Sequence, residues 1–308
     1  MIKTEIRETL FPIVLTSILF LSAIYIPLWG TLCGIFTPIP LIFVYLKRGK
    51  REGLLALFIV ASALLLFVGI HAGVMFFVEY GVVAIVIAET VRRSYSIERI
   101  VLFSTLISLI AVGIIIILTY ISKGTNPIIF FIKEIGDNIE QTAKFGQDMG
   151  FSGREIEMAR SDSKKFTEIF IHILPGIVII GLAFNTLVNY LVARHLWIKY
   201  EGEGYFTDSG VLTEWRAPEY FIWLLIGSGI VSLIPVEIIR YIGLNILIIL
   251  LFLYFLHGLA IIQFYFIKKN ISLSLRVPGY IFILLFMPIV VIGLGVFDLW
   301  IDFRGRIK

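Results

Sequence analysis

About nine apolar runs follow one another along this chain. The longer ones reach roughly 20 residues, the length a helix needs to span hydrocarbon. Of 308 residues, 59% are hydrophobic and 16% charged, against about 45–50% and about 25% in soluble domains. That excludes a soluble globular domain and implies an all-α, polytopic transmembrane helical bundle of about 8–9 spans. The net charge of +4 is scattered over short loops, the bias of a membrane protein rather than of a nucleic-acid surface. Cys33 is the one cysteine, so neither an intrachain disulfide nor a cysteine metal cluster can form. The first run is too long for a signal peptide and lacks a small-residue cleavage site, so it reads as a retained span.

The expected spans are Phe11–Leu28, Thr31–Leu46, Gly53–Ile70, Gly73–Val91, Ile100–Ile121, Glu168–Ala193, Tyr220–Ile239, Ile242–Ile267 and Gly279–Phe297. Pro38 and Pro40 interrupt the second, which reads as a full crossing or as a re-entrant or broken helix. Basic clusters follow spans two (Lys47, Arg48, Lys50, Arg51), four (Arg92, Arg93, Arg99), six (Arg194, Lys199, Arg216) and eight (Lys268, Lys269, Arg276). All four therefore fall on one face, expected to be cytoplasmic together with the N-terminus. An odd total sends the C-terminus outside, against the charge of its tail (Arg304, Arg306, Lys308).

Residues 1–308 read as a single integral membrane domain, with residues 122–167 an extracytoplasmic helical insertion. Seven basic residues match seven acidic ones in that insertion. Asn126-Pro127 marks a helix start, and Ile128, Phe131, Ile132, Ile135 and Ile139 repeat at helical spacing. Ser152 and Glu155 form a capping-box pattern. Two amphipathic helices are expected, as a covering over the bundle or a lid over a substrate entrance.

Ionisable groups at bilayer depth are functional candidates by default. Glu79, near the middle of span four, is either a proton- or cation-binding carboxylate or a structural one. Asn185 and Asn189 share a face of span six with Gly181, to bind a polar ligand or to hydrogen-bond neighbouring helices. His257 lies mid-span, one turn after Tyr254. Asn245 and Gln263, eighteen residues apart on the same helix, share an azimuth from which His257 points about 120° away. Glu79, Asn185, Asn189, Asn245 and His257 are thus candidate cavity residues. Glu89 is placed to pair with Arg92 or Arg93. The chain carries no phosphate loop, His-Glu-x-x-His, cysteine pair or Gly-x-Ser-x-Gly elbow, so it is expected to be no enzyme and to need no metal or cofactor.

Three stretches are distinctive together: Trp215-Arg216-Ala217-Pro218-Glu219 with Trp223; Asn245 through Tyr254, His257-Gly258 and Phe264; and Leu294-Gly295 through Asp298, Trp300, Asp302, Phe303 and Arg304. In these the chain resembles the YybS-like family of uncharacterised bacterial multi-pass membrane proteins, most strongly from about Ile173 onward. Many relatives carry Gln where this chain has His257. That family is remotely similar to the substrate-binding S-components of energy-coupling-factor transporters and to a rod-shape envelope family. The resemblance implies a helical bundle in a bacterial cytoplasmic membrane. It would bind a small solute beside a separate ATPase or coupling subunit, or act as a membrane scaffold for envelope or division machinery. A proton-coupled carrier centred on Glu79 is a third expectation. Beyond these the lipid bilayer is the expected partner, and nucleic acid is not.

The motif residues also have a physical reading. Pro218 suits the first turn of span seven, and Trp215 with Arg216 suits an interfacial anchor on the cytoplasmic side. Asp298 and Asp302 lie one turn apart at the opposite end, with Arg304 and Arg306 to pair them. Trp215, Arg216, Pro218, Asp298, Trp300, Asp302 and Arg304 are therefore candidates for partner docking or interface anchoring.

Overall fold

The computed structural model describes residues 2–26, 28–124, 127–149, 152–202, 204–206 and 212–306. Asn126 and Lys308 lie outside the described residues, as do the side chains of Ile128 and Phe131. Among the described residues the chain is all-α, without strands. The helices are α1 (Ile2–Tyr25), α2 (Trp29–Gly34), α3 (Pro38–Arg48), α4 (Lys50–Phe67), α5 (Ile70–Met75), α6 (Val82–Arg92), α7 (Ile97–Lys123), α8 (Pro127–Asp148), α9 (Gly153–Glu201), α10 (Phe221–Ser232), α11 (Glu237–Lys268), α12 (Leu273–Phe286) and α13 (Pro288–Ile301). A π-helical stretch, Phe76–Gly81, joins α5 to α6.

Among the described residues, five segments are long and apolar enough to cross a membrane: Trp29–Arg48, Ile70–Arg92, Ile97–Ser122, Gly153–Glu201 and Glu237–Lys268. A sixth is added if α12 and α13, bent by 96° at their junction, count as one. Thr9–Tyr25 and Phe221–Ser232 are shorter apolar helices. The expected last span, Gly279–Phe297, is therefore not straight. Met287 leaves the helical region (φ −132°, ψ 32°) and Pro288 opens α13, where its missing N–H costs nothing.

The chain divides into two compact units. The first, Met1–Leu118 with Gly181–Ser209, buries Ile42, Ala56, Val60, Phe76, Val83 and Ile87. Phe20 packs edge-on against Phe76, their centroids 5.4 Å apart, in the geometry ring quadrupoles favour. Phe58, Leu66 and Phe67 of α4 remain exposed, as lipid-facing side chains do. Glu89 accepts a 2.6 Å hydrogen bond from Tyr45 and pairs with Arg93 at 2.7 Å.

The second unit comprises Thr119–Ile180 and Gly210–Lys308. α11 crosses α13 where Gly258 meets the Val291 carbonyl and Gly295 meets the Tyr254 carbonyl. No side chain fits at either glycine, so the backbones touch, the small-residue packing that membrane helices use. Gly243 lets α11 approach the Ser228–Ser232 edge of α10 in the same way. In the segment 122–167, Ser152 and Glu155 make the expected capping box. The Ser152 amide donates to Glu155 Oε2 at 2.8 Å, and the Glu155 amide donates back to Ser152 Oγ at 3.4 Å.

Candidate functional site: a buried histidine, aspartate and arginine

The α11–α13 crossing places His257 beside Asp298. The chain then leaves α13 through Asp302, whose left-handed backbone (φ 46°) turns Arg304 back into the unit. The three residues are 1%, 2% and 8% exposed. Arg304 Nη2 lies 2.8 Å from His257 Nε2 and donates to Asp298 Oδ2 at 3.1 Å. His257 Nε2 is 3.1 Å from that same carboxylate oxygen. The other carboxylate oxygen accepts the Phe303 amide at 2.8 Å. Arg304 Nη1 donates to the carbonyls of Thr213 at 2.8 Å and Trp215 at 3.0 Å. The Trp215 ring stands edge-on to His257, 6.0 Å between centroids. One guanidinium thus ties a helix, a helix end and a loop together, a use that suits its rigid fork of donors.

Arg216 reaches the same turn from the loop side, donating to Asp302 Oδ1 at 2.8 Å. That hydrogen bond holds the Asp302 carboxyl below the usual range. Trp215 and Arg216 therefore meet Asp298, Asp302 and Arg304 at one place, and the expectation of opposite ends is corrected. The 96° bend before α13 is the reason, since the last apolar stretch crosses α11 midway rather than running along it. Pro218 lies in the turn before α10, its carbonyl accepting the Phe221 amide at 3.0 Å. Trp300 is exposed on α13.

The amides serve the backbone at a helix junction and beside a proline. Between α2 and α3 the ladder steps to three-residue spacing, the Ile39 amide bonding Phe36 rather than Ile35. The Ile35 carbonyl is left over, and buried Asn189 donates to it from Nδ2 at 2.9 Å. The same nitrogen lies 2.9 Å from Asn185 Oδ1. Beside Pro175 in α9, Asn245 Oδ1 accepts the Gly176 amide at 2.7 Å and its Nδ2 donates to the His172 carbonyl at 2.8 Å. Those are the two groups that an unbroken helix pairs with each other. Glu79 stands exposed on the π-helical stretch, hydrogen-bonded to Tyr80.

Within the second unit the structure therefore brings His257 together with Trp215, Arg216, Asp298, Asp302 and Arg304, while Asn245 bonds α9 instead. Among the described residues, two cavities can be traced that none of the five candidate cavity residues lines. One, of about 460 Å³, lies among Leu46, Lys47, Trp197, Glu201, Gly204 and Tyr205. The other, of about 610 Å³, runs between α8 and the start of α9, past Ile135, Ile139, Ile156 and Arg160. The one available signal for the cluster was local. A glycine follows His257, and another precedes Asp298 by three, marking both as points of close helix approach.

Residues 14–299 match the family described as predicted membrane protein (DUF2232). The chain belongs to that family. No curated protein and no solved structure matches it. In this DUF2232 protein, His257 and Asp298 have the look of the base and orienting acid of a hydrolytic triad. The group at Nε2 is a guanidinium, which only donates. No hydroxyl or thiol occupies the nucleophile's place among the described contacts. Among the described residues, no group of three His, Cys, Asp or Glu could hold a metal ion.

Proposed function

We propose that this protein is a non-catalytic scaffold in a bacterial cytoplasmic membrane, its N-terminus cytoplasmic, that presents the segment around Trp215–Glu219 to protein partners. The observation that carries this reading is the anchoring of that segment. Arg304 grips it through two carbonyls and Arg216 pins it to Asp302, while Arg216, Pro218 and Glu219 stay exposed. A rigidly held, solvent-reaching loop is what a docking surface needs, because little ordering entropy is left to lose on binding. The polar residues at bilayer depth add support, since Asn189, Asn245 and His257 each hydrogen-bond within their own unit. The resemblance of the sequence to YybS-like proteins fits this reading and the transport reading below equally. Arg216→Glu should abolish recovery of partners from gently solubilised native membranes while leaving the protein monodisperse. Unchanged recovery would remove the reading.

A second reading, a solute-binding transport subunit akin to an energy-coupling-factor S-component, rests on the 610 Å³ groove in the outer segment. Its apolar wall and the Arg160–Glu140 pair at 2.8 Å suit an amphiphilic solute. Native mass spectrometry showing a stoichiometric small molecule, lost in Ile139→Glu, would favour it.

A further inference from the structure

The geometry points to His257 as a proton-binding site whose occupancy decides whether Arg304 holds the Thr213–Trp215 segment. Nε2 has two neighbours that need opposite things of it. Arg304 Nη2, at 2.8 Å, only donates, so that contact is a hydrogen bond when Nε2 carries no proton. Asp298 Oδ2, at 3.1 Å, only accepts when ionised, so that contact is a hydrogen bond when Nε2 carries one. Both cannot hold at once. With Nε2 bare, the ring proton sits on Nδ1, which has no partner.

Charge counting gives the direction. The groups facing His257 are Asp298 from α13, Arg304 from the turn after it, and Arg216 from the loop. Asp302 is already taken by Arg216 at 2.8 Å. α10 contributes no titratable side chain, and on α11 the nearest is Tyr254, one turn away. Two carboxylates match two guanidiniums while His257 is neutral. A proton on Nε2 adds a third cation to a site with 1% exposure, where water cannot screen it. It takes Asp298 Oδ2 from Arg304, and the guanidinium, now beside a like charge, gives up the Thr213 and Trp215 carbonyls. Acidification therefore frees the segment, and a higher pH locks it. Control of partner docking by this route rests on the scaffold reading, but the titration does not and is measured on the protein alone.

The chain has four histidines, His71, His172, His195 and His257, so selective ¹⁵N-histidine labelling in nanodiscs resolves them, with His257→Gln assigning the signal. We expect an Nδ1-protonated ring at the alkaline end that gains its second proton on acidification. Hydrogen exchange of residues 212–217, corrected for intrinsic rate, should rise about tenfold as His257 titrates, the linkage of about one pKa unit. In His257→Gln the rise should vanish. An Nε2-protonated or non-titrating His257 overturns the proposal, as does titration with unchanged exchange. Should His257→Gln not fold, the wild-type titration and exchange decide on their own, with the three other histidines assigned by His→Gln exchange one at a time. Loss of partner recovery in Arg216→Glu with a silent His257 would leave docking standing and remove the proton site.

Discussion

Asn189 and Asn245 illustrate how a polar side chain at bilayer depth can be structural without being idle. Asn189 meets a carbonyl that a spacing change leaves short of a partner, Asn245 bonds the backbone beside a proline, and unpaired backbone groups are costly where water is absent. Asn189→Leu should lower stability by about 1–2 kcal/mol, read as a fall in melting temperature in detergent. Asn185→Ala should cost less, because the Ile35 carbonyl keeps its donor. The Arg216–Asp302 pair is exposed and behaves differently. Its carboxyl is held low in the folded state, so its contribution is present above the ordinary aspartate range and lost as pH falls through the depressed value. The melting temperatures of wild type and Asp302→Asn should differ near neutrality and converge in acid. Convergence at high pH instead would contradict the assignment.

At the level of the helix, the decisive positions are glycines whose neighbours are backbone. Gly258→Ala and Gly295→Ala should each cost about 1–3 kcal/mol, because the added methyl meets a carbonyl, which cannot rotate aside. Gly229→Ala on α10 meets open space and should be neutral or stabilising by about 0.5–1 kcal/mol. The contrast, measured by thermal unfolding of the three variants, separates close approach from helix propensity. These elements also show what the sequence made legible. Run length and composition revealed helices and their apolar character, and Pro38 announced the break between α2 and α3. Ser152 and Glu155 announced their cap. The 96° turn at Met287 was hidden, because Pro288 reads equally as the start of a new helix or as a kink in an old one. The His257–Asp298 contact was hidden for a stronger reason. Its partners are 41 residues apart, and no periodicity within one helix can specify a crossing between two.

For the whole chain, the Lys and Arg clusters make a sidedness claim that Cys33 renders testable. As the one cysteine, it can be replaced by serine to give a cysteine-free background. Single cysteines at Arg48, Ser94 and Asn270, each in or beside a basic turn, should then all be labelled from the cytoplasmic side by a membrane-impermeant maleimide. A site labelled only from the opposite side would break the four-cluster alignment.

The pairing of Asn189 with Ile35 has a consequence in time. The two are 154 residues apart, and ribosomes add roughly 5–20 residues per second. The Ile35 carbonyl is therefore synthesised about 8–31 s before the side chain that satisfies it. Gly176 waits for Asn245, 69 residues later, about 3–14 s. During those intervals these backbone groups lack the side chains that bond them in the folded protein. Biogenesis of this protein thus calls for a wet or proteinaceous shelter at the membrane that holds the early helices until the late ones arrive.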